Sequence, residues 1–310
     1  MTRETLTMRQ SGLPSIEHRA LSSRIDALIT RQKRNWRLLC ENLRRCSLAE
    51  TKTILLGDFA IVVQCNSDRI RSTMAKADQA FIQKRPCQLC AENLFAEQEN
   101  LAYNDHWVIL CNPYPILDRH LSIVERKHVA QAIHGRLPAI LELARDLTRD
   151  YFVFYNGPQC GASTPEHFHL QACARQALPV RKHLDNIESN ATLRAHKRDV
   201  ACDEGIEVFA LRNYYASLLI YRGANCSVLT TWIERTLQSL TKITGTPGEP
   251  LFNLVVMFDD PGWTVCLFPR GTHRPSCFPE GTLTVSPASL DMAGWLVAIL
   301  VPKQANAEGG

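Results

Sequence analysis

The stretch His167-Phe168-His169-Leu170-Gln171 decides how this chain is interpreted. Side chains alternate between the two faces of an extended strand, so both histidines and the glutamine are expected on one face, with neighbours about 7 Å apart. Two imidazoles and an amide in a row can hold a metal ion, a nucleophile and a hydrogen-bonding group. The alternative is a half-exposed strand whose histidines have no chemical role.

A polar loop precedes this strand. Residues 156–165 read Asn-Gly-Pro-Gln-Cys-Gly-Ala-Ser-Thr-Pro, beginning at Asn156 and including Gly161 and Ser163. Backbone N–H groups near a glycine can approach an anion closely, because no Cβ stands in the way. Such a loop followed by His-x-His-x-Gln is typical of a site that handles phosphorus.

A second candidate site is the pair Cys87-x-x-Cys90. Two thiolates at this spacing can supply half of a tetrahedral zinc site. No second C-x-x-C follows, so the other ligands have to be distant: His167 and His128 are the natural candidates, and His120 competes with His128. A closed site with four protein ligands orders the structure and activates no water. The alternative is a redox dithiol or two buried thiols.

The composition is that of a globular protein of 310 residues, of which 45% are hydrophobic and 21% charged. The formal net charge of +4 is too small to indicate a nucleic-acid partner. No apolar run reaches the roughly 18 residues of a membrane-spanning helix, and the N-terminus lacks the apolar region of a signal peptide. Twelve cysteines without such a signal predict a cytoplasmic protein that has no membrane contact.

Strands and helices alternate along the chain, and short strand pairs joined by turns are the commonest unit. Helical spacing of apolar residues predicts helices at 15–48, 67–80, 129–150 and 228–243, the third of them interrupted near Gly135 and Pro138. Strands are predicted at 54–64, 106–111, 120–124, 151–155, 167–173, 206–211, 217–221, 251–258, 264–268 and 282–285. This pattern favours an α+β fold with an antiparallel sheet over a doubly wound parallel one.

Three local features together carry a family resemblance. Residues 112–128 look like a strand–turn–strand unit that ends in a histidine, the cysteine pair precedes it, and residues 167–171 carry the transferase form of a histidine triad. In these features the chain resembles the histidine-triad superfamily, in the branch of galactose-1-phosphate uridylyltransferase and the nucleotide phosphorylases. The resemblance implies an α+β fold with a histidine-triad-like antiparallel sheet and flanking helices, which a degenerate second half completes.

The resemblance also divides the chain. Residues 1–50 form an N-terminal helical segment, residues 51–180 the histidine-triad-like catalytic half with the zinc knuckle, and residues 181–310 the degenerate second half. Because related folds often pair through the sheet, a homodimer is compatible with this resemblance.

The resemblance further implies a role for each residue of the site. His169 is the expected nucleophile, which attacks the α-phosphorus of a nucleotide and forms a covalent nucleotidyl-histidine; a neutral imidazole suits such a two-step transfer. Gln171 is expected to bind a nonbridging phosphoryl oxygen without supplying the proton that a third histidine would give the leaving group. The implied ligands of a structural zinc ion are Cys87, Cys90, His128 and His167.

Nucleotide and phosphate binding is expected from Asn156, Gly161 and Ser163 of the loop and from Arg270 and Arg274, which follow a predicted strand. The guanidinium group of arginine suits phosphate recognition, because its N–H donors match pairs of phosphate oxygens. The alternative for both arginines is a solvated surface position.

The sequence thus predicts a nucleotidyltransferase of the phosphorylase type. A nucleoside diphosphate sugar or a dinucleoside polyphosphate donates a nucleoside monophosphate to His169, and inorganic phosphate or a sugar 1-phosphate accepts it. Arg69 and Lys76 are further candidates for binding such an anionic acceptor. Two alternatives are a hydrolase of the same fold, which Gln171 disfavours, and a zinc-stabilised nucleotide-binding protein without turnover.

Overall fold

The computed structural model describes residues 16–65, 85–275, 283–284 and 286–300. The helices are α1 (Ile16–Asn35), α2 (Arg37–Leu48), α3 (Leu137–Asp146), α4 (Pro179–Asn186), α5 (Ala191–His196), α6 (Cys226–Thr244) and α7 (Ser289–Met292). The strands are β1 (Thr51–Leu56), β2 (Phe59–Cys65), β3 (Asn100–Tyr103), β4 (Trp107–Cys111), β5 (Leu121–Glu125), β6 (Tyr151–Asn156), β7 (His169–Ala174), β8 (Lys197–Asp203), β9 (Ile206–Leu211), β10 (Leu219–Gly223), β11 (Phe252–Asp259), β12 (Gly262–Pro269), β13 (Leu283–Thr284) and β14 (Trp295–Leu300). Among the described helices, none combines the length and the apolar character that crossing a membrane requires.

A ten-stranded antiparallel sheet contains most of the strands, in the order β3-β4-β5-β7-β6-β11-β12-β10-β9-β8. Each half of it consists of three successive strands, a connection that contains a helix (α3 or α6), and a final antiparallel pair. The halves join where Asn156 on β6 lies opposite Asn253 on β11. The second half therefore repeats the topology of the first and completes its sheet, which confirms the predicted α+β fold. The residue boundaries predicted for the three parts, 1–50, 51–180 and 181–310, stay a prediction.

The two halves differ at the start of their last strand. β7 begins His-Leu-Gln at His169, whereas β12 begins Gly-Trp-Thr at Gly262. Trp263 is buried in the core, and its Nε1 donates a hydrogen bond of 2.8 Å to the carbonyl of Leu141. The second half thus uses this strand start for packing, and the chemistry-bearing side chains lie in the first half.

β6 lies in the middle of the sheet and is buried over its whole length. Tyr151, Val153 and Tyr155 belong to a core on the face that α3 and α6 cover, whereas Phe152 and Phe154 belong to a second core on the other face. A strand covered on both faces is apolar at every position and does not alternate. This explains the unbroken apolar run of residues 151–155, in which four of the five side chains are aromatic.

The helix predicted over 129–150 is wrong in its first part, because α3 spans only Leu137–Asp146. Gly135 has a φ of 71°, which a continuous α-helix does not allow. Pro138 lies in the first turn of α3, where its missing N–H is not needed. Residues 129–136 are therefore free to form an irregular segment, which contributes to the site.

Two further predictions change at the edge of the fold. The strand predicted over 54–64 is a hairpin, in which β1 and β2 are joined at Gly57, whose φ is 62°. The helix predicted over 67–80, with Arg69 and Lys76, lies outside the described residues.

The N-terminal helices and β14 pack beside the first half of the large sheet. Ile25 of α1 enters the main core, and Trp36, between α1 and α2, is buried with its ring 5.4 Å from that of Phe95. β14 pairs in parallel with β2, with Trp295 opposite Val62, in a separate four-stranded sheet. These elements support the walls of a cleft in the first half.

Candidate active site

The His-x-His-x-Gln stretch lies at the start of a strand. β7 begins at His169, so His169 and Gln171 lie on it, and both line one cleft. His167 precedes the strand, and its ring lies beside the sulfur atoms of Cys87 and Cys90. The predicted single row of three side chains is therefore wrong: the structure separates a metal-binding side, which holds His167, from a cleft side.

Cys87, Cys90, His128 and His167 come together, and their ligand atoms all lie within 4.8 Å of one another. Cys87 Sγ is 3.3 Å from His167 Nδ1, and Cys90 Sγ is 3.1 Å from His128 Nδ1. In a tetrahedral zinc site with bonds of about 2.0–2.3 Å, sulfur and nitrogen ligands are roughly 3.5 Å apart. The four residues thus have the donor types and the spacing to hold one metal ion.

The second ring nitrogen of His167 orients this ligand. Nε2 lies 2.7 Å from the carbonyl oxygen of Glu125 and donates to it, so Nδ1 is unprotonated and faces the sulfur atoms. Burial, together with the hydrogen bond and charge of Cys87, raises the pKa of Cys90 to about 11. A bound cation would reverse this effect, because it stabilises both thiolates.

His120, which competes with His128 as a ligand in the sequence, has another partner in the structure. Its Nδ1 accepts the N–H of Ile116 at 3.1 Å, and its Nε2 lies 2.7 Å from Gln171 Oε1. Because Nδ1 accepts, the proton is on Nε2, which donates to the amide oxygen. This hydrogen bond fixes the orientation of the Gln171 amide and leaves its NH2 group as a donor for the cleft.

His169 has the environment of a neutral nucleophile. Its Nδ1 lies 2.8 Å from the carbonyl oxygen of His167 and donates to it, so Nε2 keeps its lone pair. Burial lowers the pKa of His169, because the imidazolium form would lose its hydration. The ring is 5% exposed and lines the cleft. A neutral imidazole with an unprotonated nitrogen can attack an electrophile bound there.

A residue that the sequence does not single out holds the backbone of His169. Gln131 Oε1 accepts the N–H of His169 at 2.8 Å, and Gln131 Nε2 donates to the carbonyls of His169 and Asn156. The N–H of Gln131 donates to the carbonyl of Pro165. His128 lies three residues earlier, directly before the irregular segment 129–136. The predicted helix from residue 129 is wrong there, so His128 does not lie at the start of a helix. One glutamine in such a segment has neither a periodicity nor a spacing that would reveal it.

The loop between β6 and β7 is held at both sides of the cleft. Gly161 has a φ of 95°, and an added Cβ would lie 2.5 Å from the Cβ of Ala288. Ser163 also lines the cleft, and its carbonyl accepts from Arg85, which forms an ion pair of 3.1 Å with Glu166. These contacts hold the backbone of the loop, and Gly161 and Ser163 line the same cleft as His169.

The other predicted anion-binding residues take part in a buried network. Asn156 lines the cleft, and its Oδ1 accepts from Asn253 Nδ2 and from the N–H and hydroxyl of Ser289. Arg270 donates to Asn253 Oδ1 and to two backbone carbonyls. Neither Arg270 nor Arg274 is among the cleft-lining residues that the structure describes. Arg270 thus braces the backbone around the cleft, and this placement does not support a direct contact with phosphate.

The cleft has a volume of about 190 Å³, and its lining is mixed. His169, Gln171, Asn156 and Ser163 are among its polar residues. Phe95 and Tyr114 also line it, and these two residues are 43% and 47% exposed. No lysine or arginine lines the cleft in the described ranges, so neutral donors provide the hydrogen bonds of its described wall.

The family described as "Domain of unknown function (DUF4922)" matches residues 28–174, which contain the cysteine pair and the histidine stretch. No curated protein matches the chain. Yeast Ap4A phosphorylase Apa2 in complex with Ap4A is similar in structure, with a TM-score of 0.59 and 14% sequence identity, over 90% of this chain and 88% of that chain. Its complex with AMP gives a TM-score of 0.58 and 16% identity, over 89% of this chain and 87% of that chain.

The chain has the fold of this Ap4A phosphorylase. The likeness extends over both halves of the sheet, since it covers nine-tenths of the chain. At this sequence identity the likeness shows the fold alone, and it confirms the fold that the sequence resemblance implies.

Proposed function

We propose that the protein is a nucleotidyltransferase of the phosphorylase type. His169 takes a nucleoside monophosphate from a nucleoside diphosphate sugar or a dinucleoside polyphosphate and passes it to inorganic phosphate or a sugar 1-phosphate. The observation that carries the proposal is the contact of 2.8 Å between His169 Nδ1 and the carbonyl oxygen of His167, in a buried residue that lines the cleft. Because the carbonyl can only accept, Nδ1 carries the proton, and Nε2 keeps its lone pair in the neutral ring. The likeness to the fold of Apa2, which binds Ap4A and AMP, supports a nucleotide as substrate.

In the first half-reaction, His169 Nε2 attacks the α-phosphorus. The N–P bond forms as the P–O bond to the leaving group breaks, and the leaving oxygen keeps the electron pair. The hydrogen bond from Nδ1 to the carbonyl of His167 stabilises the positive charge that develops on the ring. The NH2 group of Gln171 and the backbone N–H groups near Gly161 and Ser163 donate to the nonbridging oxygens.

In the second half-reaction, an oxygen of the acceptor attacks the same phosphorus, and the N–P bond breaks. The electron pair of that bond returns to Nε2, and His169 is neutral again. Gln171 favours this transfer over the hydrolase alternative, because an amide cannot protonate a leaving group at neutral pH. A phosphate leaving group needs no such proton, whereas an alkoxide would.

Zinc is the metal that best fits the cluster of Cys87, Cys90, His128 and His167. Two thiolates and two imidazoles are typical of structural zinc, and four protein ligands leave no position for water or substrate. Bound there, zinc supplies structural order and no Lewis acid chemistry. The cluster supports the active site because the carbonyl of His167 holds the ring of His169.

Two aromatic residues of the cleft lining suit a nucleobase. Phe95 and Tyr114 are partly exposed there, and a planar base can stack on their rings. Trp36, between the two N-terminal helices, packs against the ring of Phe95. The α-phosphate of a nucleotide bound in this way is proposed to lie beside His169.

A phosphorolysis panel tests the proposal. Purified protein is incubated with ADP-, GDP- and UDP-sugars and diadenosine polyphosphates, with and without inorganic phosphate, and the products are separated by chromatography. Phosphate-dependent release of a nucleoside diphosphate, abolished in His169→Ala, is the expected result. Release of a nucleoside monophosphate without phosphate would indicate the hydrolase alternative, and binding without turnover would indicate a nucleotide-binding protein.

A further inference from the structure

The pairing of β6 and β7 is interrupted at the active site. The strands pair regularly from Tyr151 opposite Ala174 to Phe154 opposite Gln171. Continued in this register, the pairing would place Asn156 opposite His169. At this point the side chain of Gln131 lies between the two backbones and bonds to both of them.

The carboxamide of Gln131 replaces a backbone partner. It has one carbonyl and two N–H groups, and a peptide group likewise has one carbonyl and one N–H. Gln131 accepts from the N–H of His169 at 2.8 Å and donates to the carbonyl of the same residue at 3.0 Å. Its other bond, of 2.9 Å, goes to the carbonyl of Asn156. Gln131 is 3% exposed, so water could not replace these bonds if the side chain were removed.

We propose that Gln131 is a positioning residue for the nucleophile. It fixes the peptide of His169 and thereby keeps Nδ1 within reach of the carbonyl of His167 and Nε2 in the cleft. It also holds the two strands apart where the loop of residues 157–168 leaves β6. The inference rests on the proposed function, in which His169 is the nucleophile.

Gln131 is itself held between two fixed points. His128 of the metal cluster lies three residues before it, and the N–H of Ile133, two residues after it, donates to Glu249 Oε2 at 2.6 Å. Glu249 lies in the loop between α6 and β11, in the second half of the fold, and also accepts from the hydroxyl of Tyr155 at 2.6 Å. The metal cluster and the second half of the fold thus both fix the short segment 128–133, and Gln131 in this segment holds His169.

Gln131→Met tests the inference, because methionine has nearly the same shape and lacks these hydrogen-bonding groups. Gln32→Met is the matched control. Gln32 is also buried, donates to the carbonyl of Glu97 at 2.8 Å and accepts the N–H of Glu99 at 3.1 Å, so it loses bonds of the same kind away from the nucleophile.

Four quantities are compared in the wild type and both variants. Thermal stability and metal content report on the structure, and imidazole ¹⁵N NMR reports the tautomer of His169. The fourth quantity is the single-turnover rate at which saturating radioactive Ap4A labels the protein. We expect similar losses of stability and unchanged metal content in both variants. Only Gln131→Met should be labelled more slowly, by about 100-fold, because a displacement of a reacting group by about 1 Å slows a reaction by this factor. Its imidazole should populate both tautomers, whereas the wild type keeps the proton on Nδ1.

A wild-type labelling rate with a single tautomer in Gln131→Met would overturn the inference, and so would equal losses of rate in Gln32→Met. If Ap4A does not label the wild type, the other nucleotides of the panel replace it. If none of them labels the wild type, the proposed function fails. The tautomer comparison then still decides whether Gln131 positions the ring.

Discussion

Gly161 is the loop position where one added methyl group should have the largest effect. In Gly161→Ala the residue would keep a φ of 95°, which costs an L-residue about 1–2 kcal/mol. Its Cβ would also lie 2.5 Å from the Cβ and 3.0 Å from the Cα of Ala288, and overpacking of this kind costs about 1–3 kcal/mol. We therefore expect the free energy of unfolding to fall by about 2–5 kcal/mol in urea denaturation.

Two further variants separate the contributions. Gly135 has a φ of 71° with no atom within 4 Å of an added Cβ, so Gly135→Ala should lose only the backbone part, about 1–2 kcal/mol. Ala288→Gly removes the closest contact, so the double-mutant cycle with Gly161→Ala should show a favourable coupling of about 1–3 kcal/mol. A loss in Gly161→Ala no larger than in Gly135→Ala, with no coupling to Ala288→Gly, would refute the packing of the loop on Ala288.

Three further predictions concern the metal cluster, the glutamine and the acid stability. Cys90→Ser should contain little metal and lose about 3 kcal/mol or more of its free energy of unfolding. This is the stabilisation that a metal ion gives when its free concentration is about 100 times its Kd. A metal content equal to that of the wild type, measured by mass spectrometry, would contradict this. His120→Phe should slow transfer about 10-fold, which corresponds to the loss of one strong hydrogen bond. The same change should have no further effect in a protein that already carries Gln171→Ala. Additive losses in the double variant would exclude a coupling between His120 and Gln171. His183 accepts the N–H of Ala60 at 3.1 Å, and burial lowers its pKa below the ordinary 6.5. The contribution of His183 to the free energy of unfolding is therefore complete above pH 6.5 and is lost as the pH falls towards the lowered pKa. Between pH 7 and 5, His183→Gln should lose less stability than the wild type. Parallel pH profiles of the two proteins would contradict this.

The sequence predicts the parts of the site whose chemistry depends on spacing. Cys87 and Cys90 lie at a ligand spacing, and His167 and His169 frame a strand start, so both groups can be recognised from the order of residues alone. Strands bounded by turns are equally predictable, and β9 lies at 206–211 as expected. In these cases the local sequence contains the physical cause of the structure.

The remainder depends on contacts that local patterns do not contain. Ile133 follows the same periodicity as the buried residues of α3 because it is buried too, although residues 129–136 are not helical. Arg270 follows a strand as a phosphate ligand would, yet its donors are used by Asn253 and by backbone carbonyls, and no local pattern marks these partners. Gln131 shows the same limit, since its role appears only when His169 and Asn156 are placed beside it.

The most direct test of the account is the intact mass of the protein after incubation with its nucleotide substrate in the absence of an acceptor. We expect the mass to increase by one nucleotidyl group, which is the mass of the nucleoside monophosphate less that of one water. Peptide mapping should place the group on His169, and inorganic phosphate should remove it. Turnover without any adduct on the protein, or an adduct that persists in His169→Ala, would contradict it.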